Sequence, residues 1–408
     1  MGVNLQSLNE SRVLMSKLRC FGKALNYIAV VGASLILVAC GGGSSGNTGL
    51  KLSLTDAPAC GYDHVYVTVQ KIGVHSSATA ANSDSGWRET VLNPALKVDL
   101  LTLTNGVLQT LGQIPLAAGH YSQIRLVLAS NAGADAYANS VFPTGGALKA
   151  LETPSALQSG IKLNADITIN ANQMADFVVD FDACKSVVTA GKSGRYLLKP
   201  VIAVTPNYIS GVSGYLHQTV ANGDTLISLQ QNGVVVKATS PDATTGGFLL
   251  QPVAPGVNYD IVITSPGKVA TVITGVPVVD QQVTALNTQT NKILPAVGDV
   301  GTARGVVTVA SAVTPIDATV SAKQGLVGTG RTVEIANTSV DAGTGGYTLT
   351  LPAAAPNVAA YSTSQSYTFV ADPVAGQYTL TATTGGSERT ASIALEDGQT
   401  VTTNFSFP

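Results

Sequence analysis

The chain has 408 residues, with 22 Lys and Arg against 24 Asp and Glu, a net charge of -2 and only 11% charged residues, where an average globular protein has about 25%. That length calls for two or three domains, and a near-neutral balance without a basic block excludes recognition of a phosphate backbone, so nucleic acid is not a partner. Gly, Thr, Ser, Asn and Gln supply the polarity and Val and Ile much of the apolar content, a profile that suits an exported all-β protein.

Residues 27–39 are almost continuously apolar and follow Lys17, Arg19 and Lys23, the layout of a secretory signal. The run is shorter than the roughly 18 apolar residues that suggest a spanning helix. Its end, Leu37-Val38-Ala39-Cys40, resembles the lipobox of bacterial lipoproteins, whose cysteine is acylated and becomes the mature N-terminus. The resemblance implies a signal peptide over residues 1–39, a lipidated Cys40 with a flexible tether over 40–47, and the membrane as a partner through that anchor. Several acyl chains on one residue, at about 0.8 kcal/mol per buried CH2, hold a domain at a bilayer without a spanning segment. Gly41 rather than Asp follows the cysteine, which in the lipoprotein sorting pattern implies the outer membrane. Translation from Met1 or from Met15 leaves a complete signal in either case. Gly42 to Gly46, GGSSG, fits the G-x-S-x-G pattern of a nucleophile elbow but lacks the preceding strand and following helix that the elbow requires.

Over residues 48–206 several runs alternate with period two, the mark of half-buried strands. Val65, Val67 and Val69 share one face; Ile124, Leu126 and Leu128 share another, with Arg125 pointing the other way; Phe177, Val179 and Phe181 point inward. Residues 100–111 read as a short helical or turn-rich connection broken at Asn105-Gly106. LKLSLTDAP, VYVTVQKIGVH, GWRE, DLLTLTNG, AGHYSQIRLVL, ETPSALQSGIKL, DFVVDFDACKSVV and YLLKPVIAV, in that order, resemble the bacterial domain of unknown function DUF4382. That resemblance implies a β-rich exported domain without an assigned activity.

Asp176, Asp180 and Asp182 project from one face of a strand, close enough for a pair to share a hard cation if a loop adds oxygens; alternatively they are solvent-facing carboxylates paired with Lys162, Lys185 or Lys199. His64, His75 and His120 lack zinc spacing. Trp87 reads as a core anchor rather than a ligand platform. Cys20 leaves with the signal and Cys40 is acylated, so Cys60 and Cys184 remain in an oxidising envelope, each beside a motif of the family resemblance. They are expected to form a disulfide; the alternative is two separately buried thiols.

Residues 207–298 and 299–408 form a tandem repeat. ATTGGFLLQPVAPGVNYDIVITSPG (243–267) is echoed by AGTGGYTLTLP (342–352) and, after an insertion over 353–371, by DPVAGQYTLTATTGG (372–386). Short strands with turn signals at regular spacing read as β-sandwiches, and the order of strand, TGG turn, Pro-Val-Ala turn and Tyr-rich strand resembles carboxypeptidase regulatory-like modules with a prealbumin-like, carbohydrate-binding-like fold. Relatives of that fold carry a Lys–Asn isopeptide; Lys323, Glu334 and Asn404 supply the residue types, but Arg304 stands where the lysine would be. Tyr361, Tyr367 and Phe369 in the insertion either bind a partner or fold back onto their own sandwich.

The fold expected is all-β, three sandwich-like domains in tandem behind a signal peptide. No nucleophile with a base, carboxylate cleft or metal set stands out, so neither an enzyme nor a cofactor is expected. The function expected is a non-catalytic envelope lipoprotein that binds or scaffolds, its partner an envelope protein or a glycan.

Overall fold

The computed structural model describes residues 48–57, 61–132, 135–154, 160–310 and 315–408. The regular elements of the described residues are nearly all strands, these residues fall in one compact unit, and no helix among them is long and apolar enough to cross a membrane.

The first domain sets a four-stranded sheet against a larger one. In the small sheet Gly49–Ala57 lies between Gln109–Pro115 and a parallel neighbour, Met174–Asp182, which Ile202–Pro206 flanks on the outside. The large sheet is organised on the long strand Tyr62–His75, which pairs with Arg88–Asp99, Gly119–Leu128 and Ser140–Pro143. The alternation sets the core: Val65, Val67, Val69, Ile124, Leu126, Leu128, Val179 and Phe181 are each no more than 2% exposed and pack with Leu50, Leu52 and Leu54. Residues 100–111 hold a single 3-10 turn, Leu100–Thr102, before the strand Gln109–Pro115 begins.

Both repeats are sandwiches with the same strand order. In the first, Gly211–Tyr215 sits between Gly247–Leu250 and Val283–Ala285, facing Val234–Thr239, Leu226–Gln231, Asn258–Thr264 and Thr271–Pro277. In the second, Val300–Val309 sits between Gly346–Pro352 and Thr400–Thr402, facing Thr332–Ser339, Thr319–Gly325, Gln377–Thr384 and Ser387–Ala394. Tyr347, Leu349, Leu351, Tyr378, Leu380 and Phe405 fill the second core, as their alternation requires.

The insertion in the second repeat does neither of the things its sequence suggested. Asn357–Ala360 pairs in parallel with the edge strand Thr271–Pro277 of the first repeat, and Val370–Ala371 extends the sheet to six strands. Tyr361, Tyr367 and Phe369 pack on the core of the first repeat, and the Tyr367 hydroxyl donates to Leu286 O at 2.9 Å. In return Val262, Ala270 and Val272 of the first repeat join the core of the second. The arm covers an edge that would otherwise present unpaired backbone groups, and it locks the two sandwiches together.

Candidate functional site

The three aspartates of Met174–Asp182 are only partly exposed, and the strand Val234–Thr239 of the first repeat reaches over Asp180. Each finds a lysine. Asp176 faces its register partner Lys51 across the parallel ladder at 2.8 Å. Asp180 accepts from Lys237 of the first repeat at 2.7 Å, with side chains 17% and 4% exposed. Asp182 caps the short helix Ala183–Ser186 through Lys185 N and pairs with the Lys185 ammonium at 3.1 Å. Lys162 and Lys199 take no part in these pairs: Lys199 instead reaches Asp317 of the second repeat at 3.5 Å.

The surrounding charges make a polar junction where all three sandwiches meet. Asp56, the register partner of Phe181, is 1% exposed and accepts from Ala183 N at 2.9 Å, while its other oxygen has no partner. Burial pushes its carboxyl pKa well above the usual range, against the pull of the Ala183 N–H, and the neighbouring Asp182 and Asp180 charges push it further. From the second repeat, Glu334 turns towards Lys185; burial raises its pKa, partly offset by Lys185 and by the Asn337 amide. Burial alone would lower the Lys185 pKa, but Asp182 and Glu334 outweigh it and hold it above the ordinary lysine value. A cavity of about 200 Å³ lies between these groups, walled by Leu226 and Val235 and floored by Ser228 and Glu334.

Two further seams close the assembly. Arg331 of the second repeat donates to both oxygens of Asp260 in the first, at 2.8 and 3.0 Å, where Asp260 is 3% exposed. Gln230 and Glu334 exchange a reciprocal pair of side chain to backbone hydrogen bonds at 2.7 and 2.8 Å. The first domain then grips both repeats at the same place. Its Asn105 accepts from Leu249 N and bonds the Thr239 hydroxyl in the first; its Thr189 and Gly191 donate to Asp341, in the TGG turn of the second, at 3.0 and 2.9 Å.

Among the described residues no group of three His, Cys, Asp or Glu side chains is placed to hold a metal ion. His64 pairs with Asp99 at 2.6 Å and His75 bonds Ser85 O. His120 lies between Ser122 Oγ at 3.3 Å and Asp166 at 2.8 Å, the residue types of an acyl-transfer triad. Asp166 is 93% exposed, so nothing fixes the imidazole in the orientation that such chemistry demands. Trp87 covers the Arg125 guanidinium, 4.0 Å from its ring centre, and its Nε1 donates to Ala81 O. Arg125, on the face opposite Ile124 and Leu126, is nonetheless only 5% exposed, beneath the loop of residues 76–86. Asn404 accepts from Val306 N at 2.9 Å in the sheet opposite Lys323 and Glu334, so its carboxamide oxygen is engaged elsewhere than with that pair. Cys184 lies in the helix Ala183–Ser186, whereas Cys60 and the lipobox Cys40 lie outside the described residues.

Sequence reasoning missed Lys237, and alternation carried no signal for it. In Val234–Thr239 the valines at 234 and 236 are 58% and 40% exposed while the lysine is buried, an inversion that only the neighbouring domain explains.

Residues 47–200 match the family described as "Domain of unknown function (DUF4382)". No curated protein matches the chain. Among solved structures, the type II cohesin-X-dockerin complex of Acetivibrio cellulolyticus (Coh3ScaB-XDoc_M1ScaA) is 24% identical over 22% of this chain and 59% of its own, with a TM-score of 0.18. The TIE protein of Bacillus anthracis is 11% identical over 88% of this chain and 50% of its own, TM-score 0.18. BcpA, the major pilin subunit of Bacillus cereus, is 12% identical over 88% and 98%, TM-score 0.16. The chain thus spans 59% and 50% of the length of the first two. Scores this low carry no functional inference.

Proposed function

We propose that this protein is a non-catalytic scaffold of the bacterial cell envelope, hung from the outer membrane by acyl chains on Cys40. On this reading residues 41–47 are its tether, and a DUF4382 domain with two carboxypeptidase regulatory-like modules forms one stiff body that meets an envelope protein or a glycan. The observation that carries it is the interlocking. A strand arm passed from one sandwich into the sheet of another, together with a largely buried Lys237–Asp180 pair at one seam and a buried Asp260 carboxylate held by Arg331 at another, commits charged side chains to fixing domain geometry. Such groups cost several kcal/mol to desolvate and serve to specify one arrangement better than they add stability.

Metabolic labelling with an alkynyl fatty acid in a bacterial host tests the anchor. The wild type is expected to be tagged and to fractionate with the outer membrane, and Cys40→Ala to be untagged and released. Equal labelling of both would sink the reading.

A further inference from the structure

The two repeats place different side chains at one structural position, and the difference exposes a candidate site. In the first, Ser213 lies opposite Leu249 and Gly214 opposite Phe248; in the second the same register pairs are Arg304 with Thr348 and Gly305 with Tyr347. An asparagine marks the equivalent corner of each: Asn287 Oδ1 accepts from Tyr215 N at 2.7 Å, and Asn404 Oδ1 from Val306 N at 2.9 Å.

What covers the two positions differs. Over the first repeat the Asn105-Gly106 turn of the first domain sits on the apolar Leu249, so close that a Cβ on Gly106 would come within 2.9 Å of its methyl. Asn287 there is 3% exposed, with its amide nitrogen donating to Tyr215 O and Asn291 O. Over the second repeat the first domain docks beside this corner, with Thr189 and Gly191 on Asp341 and Val188 and Leu197 against Ala342, and of its described residues only Gly191 lines the surface beyond. Beneath lies a groove of about 720 Å³, within the range of small-ligand sites, with Arg304, Thr402 and Asn404 exposed along it.

The chemistry of the groove is specific. Among the described residues Arg304 takes part in no ion pair, and its Nε has only the Thr402 hydroxyl at 3.5 Å. The one carboxylate nearby, Asp341, is spent: one oxygen accepts from Gly343 N, Thr344 N and the Thr344 hydroxyl, the other from Thr189 and Gly191. Because the Asn404 oxygen is held by Val306 N, its NH2 is the free end. A guanidinium offering a bidentate fork, an amide donor and two threonine hydroxyls match a carboxylate carried on a polyhydroxylated chain.

We propose that this groove of the second repeat binds an acidic saccharide, its carboxylate on Arg304 and its hydroxyls on Thr348, Thr402 and Asn404. The assignment deepens the scaffold reading by naming what the surface receives. It does not depend on the lipid anchor, so binding and lipidation fail separately.

The test is calorimetric titration of the purified full-length protein with tri-galacturonate, with its methyl ester and with an Asp-rich peptide. The free acid is expected to bind, more weakly as salt rises, and at least about tenfold more weakly in Arg304→Gln, the scale of a lost charge-assisted hydrogen bond. Thr348→Leu, which installs the residue of the first repeat, is expected to weaken it as well, both variants melting with the wild type. Absence of binding, equal binding of the ester, tighter binding of the peptide, or a titration unchanged by Arg304→Gln would each overturn the proposal.

Discussion

Removing the Lys237 charge tests whether the three sandwiches form one body in solution. In Lys237→Met the side chain keeps its length and apolar stem but leaves Asp180 without its counter-ion, with Asp56 and Asp182 as neighbouring acids. One oxygen of Asp180 already lacks a hydrogen-bond partner, and the other cation near it, Lys185, is already paired with Asp182, so the carboxylate has few ways to be compensated. Breaking a buried pair from one side costs about 3–5 kcal/mol. The contrasting pair Arg195–Glu152 has side chains 59% and 38% exposed, so after solvent screening Arg195→Met is expected to leave the unfolding midpoint close to that of the wild type. Asp180→Asn combined with Lys237→Met removes both charges and is expected to lose less than Lys237→Met alone. Urea unfolding of the four proteins at neutral pH measures this. Equal small losses for Lys237→Met and Arg195→Met would refute the reasoning, because they would show that water reaches Asp180 and that the first domain does not stay docked on the first repeat.

Cys60 and Cys184 are expected to be joined: the parallel ladder makes Ala57 and Asp182 register partners, and the two cysteines follow within a few residues. Closing so long a loop adds roughly 4–5 kcal/mol on a chain-entropy account; non-reduced peptide mapping that finds two alkylatable thiols in the folded protein would reject the bond. Burial raises the Asp56 carboxyl pKa, so the folded state holds a proton that the unfolded state has released, and stability falls as pH rises from about 4 through the folded pKa. Asp56→Asn is expected to remove that slope, its urea midpoint gaining on the wild type between acid and neutral pH; parallel curves would show that Asp56 is not buried as an acid.

Much of the architecture was legible because period-two patterning is a local property. Val65, Val67 and Val69, or Tyr347, Leu349 and Leu351, declare a buried face without reference to anything distant in the chain. What could not be read is the partner of a face that is polar or mixed. Asp180 and Lys237 lie 57 residues apart, on strands whose patterns each describe an ordinary solvent side, and Val234–Thr239 even turns its valines outward. Tyr361, Tyr367 and Phe369 announce an apolar surface in the insertion, but aromatic content does not say which of two similar sandwiches it covers. The pairing of Asp182 with Lys185 was within reach because three residues separate them; Asp176 with Lys51 required the parallel register.

Duplication explains why the unread contacts are the informative ones. Two copies of one sandwich begin with the same edges and the same TGG corner, so whatever first docked on one could dock on the other. The first domain still reaches both, through two turns that need left-handed backbone: Asn105 and Gly106 at φ 57° and 75°, and Gly191 at φ 60°. At the first repeat that turn packs on Leu249 and leaves it half-buried. At the second it stops at Asp341 and leaves Arg304, Thr348 and Asn404 to solvent. The arm divides the copies in the same way: Thr271, Val272, Ile273 and Thr274 are buried beneath it, whereas Ser387–Ala394, the strand in the same place in the second repeat, is mostly exposed and carries Glu388 and Arg389. Charges on an edge strand discourage pairing. One copy has thus become a structural mount, and the other keeps the open polar surface on which binding can act.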